Sequence, residues 1–413
     1  MLIGVAVTPY LLTRLGVERL GVLTLVWALI GYFSIFDFGL GRALTYKVSS
    51  LKGAGSLDRV WESIRSGLLL LTGVGMIGVV VVAILVESFG VHWLNVSPRI
   101  YEETRLAVLV AGAAIPITTL TSGLKGILEG LENFKTANLL RTLLGFSNFL
   151  TPVAAVELFG PNMAVVVGGL VAARLIILLL HVAVLAKSLA AFRARHVEQG
   201  DDWKELARLG AWMTVSNVIS PLMTVSDRFI ISHFLGGAIV AYYAIPNDFL
   251  FRLLILPAAL TTTLFPVFAQ RLTARDPGIR KLYYKALGSI AALMLPVTLL
   301  IAAFSHYGLY LWLGQTFADK SYVVVILLAV GILFNSLAQI PHAMIQASGD
   351  VKKTSMVHIV EFLTYMPILV FAVTRFGIIG AAIAWQMRMI ADCTILHLLA
   401  VRKLNEGVNA RLA

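Results

Sequence analysis

The stretch GLLLLTGVGMIGVVVVAILVES, residues 67–88, decides the fold class of this chain. A helix needs roughly 20 apolar residues to cross a hydrocarbon core about 30 Å thick, and this stretch has a single charge, Glu87, near its end. Because lipid offers the backbone no hydrogen-bond partner, and because the stretch lacks the alternation of a barrel strand, we predict a membrane-spanning helix.

Eleven other apolar stretches accompany it, and we predict an all-α polytopic membrane protein with about twelve transmembrane helices. The first stretch is short, and we expect the chain as given to begin inside the first helix. The other stretches are 1–13, 21–41, 106–124, 137–158, 163–186, 209–234, 239–269, 286–304, 322–345, 355–374 and 378–401.

The overall composition agrees with a membrane protein. The 413 residues are 59% hydrophobic and 13% charged, whereas a soluble domain has roughly 25% charged residues. The net charge of +11 fits anionic lipid headgroups better than nucleic acid, because the cations lie in loops that flank the spans. The single cysteine, Cys393, excludes a disulfide framework or a cysteine-based metal cluster.

Lysine and arginine alternate between the two sides of the membrane. Six segments (42–65, 125–141, 187–208, 271–285, 352–353 and the tail from 402) hold 5, 3, 5, 5, 2 and 3 Lys or Arg, 23 of the 33 in the chain. Such loops stay on the cytoplasmic side. We therefore predict that both termini are cytoplasmic.

The longest hydrophilic stretch, Lys187–Arg208, divides the spans into six and six, and the two halves resemble each other. We predict an N-terminal six-helix bundle at 1–186, a cytoplasmic linker at 187–208 and a C-terminal bundle at 209–413. Copies with an even number of spans share one topology. Four dipeptide matches support the duplication: Leu15-Gly16 with Leu235-Gly236, Phe89-Gly90 with Tyr307-Gly308, Lys135-Thr136 with Lys353-Thr354, and Phe159-Gly160 with Phe376-Gly377.

Four arginines lie inside predicted spans: Arg174, Arg228, Arg252 and Arg388. A charge in a membrane helix costs roughly 2.5–3.5 kcal/mol on insertion scales, so it usually faces a cavity or a partner. We interpret the four as the cationic wall of a substrate-binding cavity, because a guanidinium binds phosphate or carboxylate with two parallel hydrogen bonds. Structural pairing is the alternative, since Asp248 and Asp392 each lie four residues from an arginine.

Five acidic residues are candidates for ion coupling or for structural pairing: Asp37, Asp227, Asp248, Glu361 and Asp392. Asp37 has a possible partner in Arg42. Glu361 has two readings: a carboxylate that takes up a proton, or one bound to the hydroxyl of Thr364. We assign no role to the histidines, which include His342, His358 and His397.

Motifs of catalysis are missing from the sequence. It contains no Walker loop, HExxH, GxSxG or clustered metal ligands, and its longest hydrophilic connection leaves no room for a soluble catalytic domain. We therefore expect neither an enzyme nor a bound cofactor or metal.

Several short motifs resemble those of bacterial polysaccharide-biosynthesis flippases, the Wzx-like transporters of O-antigen and exopolysaccharide in the multidrug/oligosaccharidyl-lipid/polysaccharide exporter superfamily. The resemblance extends over nearly the whole chain. The motifs are Arg14-Leu15-Gly16, Asp37-Phe38-Gly39-Leu40-Gly41, Asp227-Arg228-Phe229-Ile230-Ile231-Ser232, Ala241-Tyr242-Tyr243-Ala244-Ile245-Pro246, Leu264-Phe265-Pro266 and Gln346-Ala347-Ser348-Gly349-Asp350.

The resemblance implies two six-helix bundles in a V around a central cavity, as in MATE transporters. It implies alternating access that moves an undecaprenyl-diphosphate-linked oligosaccharide across the bacterial cytoplasmic (inner) membrane, for O-antigen, capsule or exopolysaccharide synthesis. The implied partners are this lipid-linked oligosaccharide, membrane lipids, a polysaccharide polymerase and a chain-length regulator.

Three other functions remain open at this point. A MATE-type drug or cation antiporter would need an acidic cavity, which the arginines inside the spans disfavour. A lipid II flippase usually carries two further helices. A membrane-embedded glycosyltransferase or glycan polymerase would need a larger periplasmic loop than Glu87–Thr104, the largest in this chain.

The predicted orientation can be tested by cysteine accessibility. In a background that lacks Cys393, we expect cysteines placed at Gly200 and Gly278 to resist a membrane-impermeant thiol reagent added to intact cells, because both loops are predicted to be cytoplasmic. Both cysteines should react once the cells are made permeable. Labelling of either site from outside would overturn the orientation.

Overall fold

The computed structural model describes residues 2–32, 40–53, 57–189, 223–274, 276–348 and 351–409, and these residues are almost entirely helical. Thirteen α-helices are seen in this part of the chain. They are α1 (Leu2–Tyr32), α2 (Leu40–Gly53), α3 (Leu57–Phe89), α4 (Tyr101–Gly112), α5 (Ala114–Gly130), α6 (Phe134–Phe159), α7 (Met163–Leu189), α8 (223–235), α9 (Gly237–Phe251), α10 (Ile255–Thr273), α11 (Gly278–Leu313), α12 (Gln315–Ala347) and α13 (Val351–Asn409).

Eight helical stretches among the described residues are long and apolar enough to span a membrane. The all-α polytopic fold is therefore confirmed, while the count of twelve spans stays a prediction. The eight are Val60–Ser88, Pro98–Gly130, Phe134–Phe159, Met163–Lys187, Gly237–Leu272, Gly278–Leu313, Gln315–Ala347 and Met356–Asn405.

Glycines with positive φ form the corners between helices. Within the described ranges there are six, three in each half of the chain: Gly16, Gly90, Gly160, Gly236, Gly314 and Gly377. Gly16 (φ 77°) breaks α1 and Gly377 (φ 61°) breaks α13. A side chain at such a φ would clash with the backbone, so these corners require glycine.

The positions of the glycines with positive φ can be compared with the dipeptide matches between the two halves of the chain. Gly16 with Gly236 and Gly160 with Gly377 have positive φ in both members, as expected for equivalent positions. The match of Phe89-Gly90 with Tyr307-Gly308 is wrong, because α11 continues through Gly308 and ends at Leu313. The corner glycine there is Gly314 (φ 87°).

The chain divides into two compact units. Unit 1 comprises Met1–Val225 with Gly236–Ala238, and unit 2 comprises Ser226–Leu235 with Ile239–Ala413. Most of the predicted linker, Lys187–Arg208, lies outside the described residues. The predicted division at 186 and 209 therefore stays a prediction.

Unit 1 is built around close contact of α5 with α2 and α3. Leu44, Val48, Leu71, Ile127 and Leu128 are fully buried in its core. The core forms because α5 presents small residues to its neighbours. A Cβ added at Gly126 would strike the carbonyl oxygen of Gly41 and lie 2.9 Å from Oγ1 of Thr45.

Unit 2 is built on the packing of α12 against α11 and α13. Trp385 of α13 is almost fully buried. A Cβ at Gly331 of α12 would collide with its indole ring, and Phe251 lies 5.4 Å from the same ring, centroid to centroid. In both units, therefore, two helices approach closely at a glycine. Such contacts are common in membranes, where the packing of side chains and not the exclusion of water drives helices together.

Replacement of Gly126 by alanine should loosen unit 1. We expect Gly126→Ala to cost about 1–3 kcal/mol, because the added methyl group has no space against α2. Gly145→Ala in α6 is the matched control, since its methyl group would meet nothing within 4 Å. Thermal unfolding of the detergent-solubilised variants measures the difference. Equal midpoints for the two variants would contradict this account of the packing.

Candidate functional site

Six charged side chains of unit 2, buried or largely buried except for the half-exposed Asp248, form two triads, each with two carboxylates and one guanidinium. We call Asp227, Arg228 and Asp248 the first triad, and Glu361, Arg388 and Asp392 the second triad. Buried charges are stable in a protein when they are paired and hydrogen-bonded. When every group is ionised, each triad carries one surplus negative charge.

The first triad joins α8 to α9. Arg228 is 6% exposed, and its two terminal nitrogens donate to both carboxylate oxygens of Asp248, with Nη1 to Oδ2 at 3.2 Å. The sequence suggested Asp248 as a partner for Arg252 on the same helix, and this pair between helices was not foreseen. Asp227 is 1% exposed.

Asp227 has its own hydrogen-bond donors. Its Oδ2 accepts from the Tyr243 hydroxyl at 2.7 Å, and its Oδ1 accepts from the Arg228 backbone N–H at 2.8 Å. The two carboxylates of this triad thus accept hydrogen bonds from three side-chain donors, two on Arg228 and one on Tyr243, and from one backbone N–H. The arrangement is that of a structural clamp between the seventh and eighth predicted spans.

The second triad joins the two halves of α13, which Gly377 separates. Arg388 Nε lies 4.0 Å from Oε2 of Glu361, and the guanidinium carbon lies 5.2 Å from the centroid of the Tyr365 ring. One side-chain nitrogen of His358 and one oxygen from each of Glu361 and Asp392 lie within 4.8 Å of one another.

The second triad differs from the first in its hydrogen bonds. Both carboxylate oxygens of Glu361 and Oδ1 of Asp392 are buried and have no hydrogen-bond partner among the described residues. The alternative that Thr364 binds the Glu361 carboxylate is wrong, because the Thr364 hydroxyl donates to the backbone carbonyls of Val360 and Glu361. This carboxylate pair is therefore unsatisfied as it stands.

Arg174 is the intramembrane arginine of unit 1. It is 7% exposed, and it donates to Oδ1 of Asn148 on α6 at 2.8 Å and to the Leu170 carbonyl at 3.2 Å. Its Nε has no partner in the described residues. The side-chain partner of Arg174 on another helix is thus an amide.

Arg252 lies where the eighth predicted span changes its helical form. Residues Arg252–Leu254 make a 3₁₀ turn between α9 and α10, and Arg252 is half-buried there. Pro257 explains the turn, because proline lacks the N–H that would bond the carbonyl of Leu253 in an α-helix. Asp37 lies outside the described residues.

The structure thus gathers six of the nine candidate residues into two sites in unit 2. It places Arg174 in unit 1 with Asn148. That Arg174, Arg252 and Arg388 line one cavity stays a prediction. Sequence reasoning missed Asn148, Tyr243, Tyr365 and His358. Polar residues inside the fifth, eighth and eleventh predicted spans were the available signal for all four.

Two known protein families match this chain in sequence. The family profile described as "Polysaccharide biosynthesis protein" matches residues 1–272, about two thirds of the chain. The chain belongs to this family. The profile described as MatE matches residues 213–371.

Relatives and solved structures agree with this assignment. The chain is 31% identical over 404 residues to a candidate O-antigen transporter of Shigella flexneri, covering 97% of this chain and 94% of that protein. An inward-facing MATE transporter of the MOP superfamily has a TM-score of 0.82 at 16% identity, covering 98% and 94% of the two chains. The lipid II flippase MurJ has a TM-score of 0.74 at 13% identity, covering 98% and 87%. These two likenesses show the MATE-like fold.

The first triad predicts a strong effect of one substitution. Asp248→Asn should cost about 1.5–3 kcal/mol, because it replaces the carboxylate that accepts hydrogen bonds from both terminal nitrogens of the buried Arg228. The triple variant Asp227→Asn/Arg228→Met/Asp248→Leu should recover most of the loss, since it removes all three charges and leaves no buried charge uncompensated. Thermal unfolding in detergent measures the order of the variants.

A control for this experiment is Glu87→Gln. Glu87 pairs with Arg105 at 2.6 Å in an exposed position, where an ion pair contributes at most about 1 kcal/mol. If Asp248→Asn unfolds at the same temperature as Glu87→Gln, the clamp between α8 and α9 does not hold unit 2 together.

Proposed function

We propose that this protein is a flippase. It moves an undecaprenyl-diphosphate-linked oligosaccharide across the bacterial cytoplasmic membrane by alternating access, for O-antigen, capsule or exopolysaccharide synthesis. The observation that carries the proposal is the likeness over nearly the whole length to a candidate O-antigen transporter. The MATE-like fold and the family membership support it. Transport of this kind involves no covalent chemistry.

The proposal includes the orientation and the partners. Both termini lie in the cytoplasm, which the excess of lysine and arginine in alternate loops supports. The substrate then moves from the cytoplasmic to the periplasmic leaflet. A polysaccharide polymerase and a chain-length regulator would use the exported product.

We assign the substrate's anionic group first to Arg174, whose hydrogen-bond partners in the described residues are uncharged. Both terminal nitrogens of Arg228 donate to the carboxylate of Asp248, and Arg388 faces the carboxylate of Glu361. Arg174 is bound only by an amide and a carbonyl, so its charge is available to a phosphate or an acidic sugar. Arg252, at the 3₁₀ turn, is the second candidate.

We assign ion coupling to the second triad. Its surplus negative charge and its unsatisfied carboxylate oxygens require one positive charge. A proton meets this need better than a hard metal cation, because the neighbouring His358 contributes nitrogen, whereas such cations prefer oxygen ligands. Arg388, 4.0 Å from Glu361, disfavours a divalent ion by repulsion. The first triad is structural.

The flippase itself can be tested in cells of the source organism that lack this gene. We expect lipid-linked oligosaccharide to accumulate on the cytoplasmic side, and the wild-type gene to restore export. Arg174→Ala should fail to restore export although it inserts normally, and Arg174→Lys should restore part of it, because the charge survives without the planar fork. Full export by Arg174→Ala would reject this residue as the substrate's partner.

Drug resistance distinguishes the MATE alternative. A strain that gains tolerance to cationic drugs from this gene, without any change in its surface polysaccharide, would favour the antiporter.

Coupling can be tested with purified protein in proteoliposomes. The substrate is undecaprenyl-diphosphate-linked oligosaccharide extracted from the export-deficient cells. We expect wild-type transport to accelerate with an imposed proton gradient, and Glu361→Gln to lose this response because the amide cannot take up a proton. Glu157→Gln, in an exposed pair with Arg14, is the control. A response to a sodium gradient in place of a proton gradient would reject the proton as the coupling ion.

A further inference from the structure

Two histidines of unit 2 lie beside the second triad and are not used by the proposed mechanism so far. The rings of His342 in α12 and His358 in α13 are stacked, with centroids 5.8 Å apart and planes 12° apart. We propose that His358 and His342 form a proton path between the second triad and the cytoplasmic face. The inference rests on the proposed proton coupling and names the residues that connect its site to water.

The depth of the residues supports such a path. At about 1.5 Å per residue, Glu361 lies ten positions from the start of α13, roughly 15 Å along the helix. His358 is one turn nearer to that start. His342 lies five positions from the end of α12, roughly 7–8 Å along the helix. Lys352 and Lys353 lie in the first turn of α13, and the segment that holds them is predicted to be cytoplasmic.

The inner end of the path lies beside the carboxylates of the second triad. A ring nitrogen of His358 lies within 4.8 Å of an oxygen of Glu361 and of an oxygen of Asp392. Glu361 is 7% exposed and Asp392 is 8% exposed, so neither reaches bulk water well by itself.

The outer end of the path leads toward the surface. Nε2 of His342 lies 3.4 Å from the side-chain nitrogen of Gln346, one residue before the end of α12. His342, His358 and Gln346 are each half-buried, in contrast with the two acids. The groups that face His358 are Glu361 on its own helix segment, Asp392 and Arg388 on the second half of α13, and His342 on α12.

The transfer is balanced at each step. One carboxyl of the second triad gives its proton to a ring nitrogen of His358, and the imidazole releases a proton from its other nitrogen. Stacked rings do not point N–H groups at each other, so one water molecule carries the proton to His342. His342 then releases a proton to the cytoplasm. Histidine suits this role because its imidazole has two nitrogens, so that one can take up a proton while the other releases one.

The experiment measures proton release on its own. Full-length protein is placed in proteoliposomes with a pH-sensitive dye on the cytoplasmic side, and undecaprenyl-diphosphate-linked oligosaccharide starts transport. We expect His358→Gln to slow proton release about 100-fold, the lower end of what a positioned acid–base group contributes. The number of protons released per substrate should not change. Imidazole in the buffer should restore part of the rate.

A matched control separates proton transfer from packing. His397 is a histidine of the same helix whose Nδ1 lies 2.8 Å from the Tyr283 hydroxyl, and His397→Gln should release protons at the wild-type rate. Wild-type rates in His358→Gln and His342→Gln would overturn the path. Slow release that imidazole does not restore would also overturn it, because lost packing is not repaired by a proton carrier.

The same assay distinguishes the failure of the two proposals. If Glu361→Gln still responds to the proton gradient, the proposed coupling site is wrong and the path loses its origin. If Glu361→Gln loses the response while His358→Gln behaves as wild type, the coupling site stands and the histidine path alone is rejected.

Discussion

The absence of water from the hydrocarbon core is the constraint on which this structure depends. Every backbone N–H and C=O in that region needs a partner within the chain, and this dictates helices from end to end. The same constraint applies to charged side chains, each of which is costly unless it is compensated. The helices pair the backbone groups, the glycine corners connect one helix to the next, and the triads compensate the charged side chains.

The two units meet the requirement for charge in different ways. Unit 1 holds Arg174 with neutral partners, the Asn148 amide and a backbone carbonyl. Unit 2 surrounds Arg228 and Arg388 with an excess of carboxylates. Within the described residues, Arg174 of unit 1 is thus held by uncharged partners, whereas each triad of unit 2 has one more carboxylate than guanidinium.

Much of the fold followed from the sequence, because spans and loop charges are local properties. The corners at Gly16 and Gly377 were visible as dipeptides, whereas Gly314 was missed because the apolar pattern does not show where α11 ends. The pairing of Arg228 with Asp248 was also missed. A sequence shows which charges are neighbours on one helix, and this pair joins two helices.

The site around Glu361 was only half predictable. One carboxylate in an apolar span was enough to predict that Glu361 is buried and that it is a candidate for taking up a proton. The grouping with His358, Asp392 and Arg388 could not, because it depends on the break at Gly377 that brings the two halves of α13 side by side. Histidines in membrane helices are usually packing residues, and only this geometry singles out His358.

The glycine corners have a consequence for where the protein tolerates added sequence. A single residue, Gly236, separates α8 from α9, and Gly314 alone separates α11 from α12. An insertion at such a corner would have to rebuild a backbone turn that only glycine adopts. Epitopes, reporters and natural insertions therefore belong in the basic loops of the opposite face. At Gly236 and at Gly314, a docking protein would meet the ends of two helices and no protruding loop.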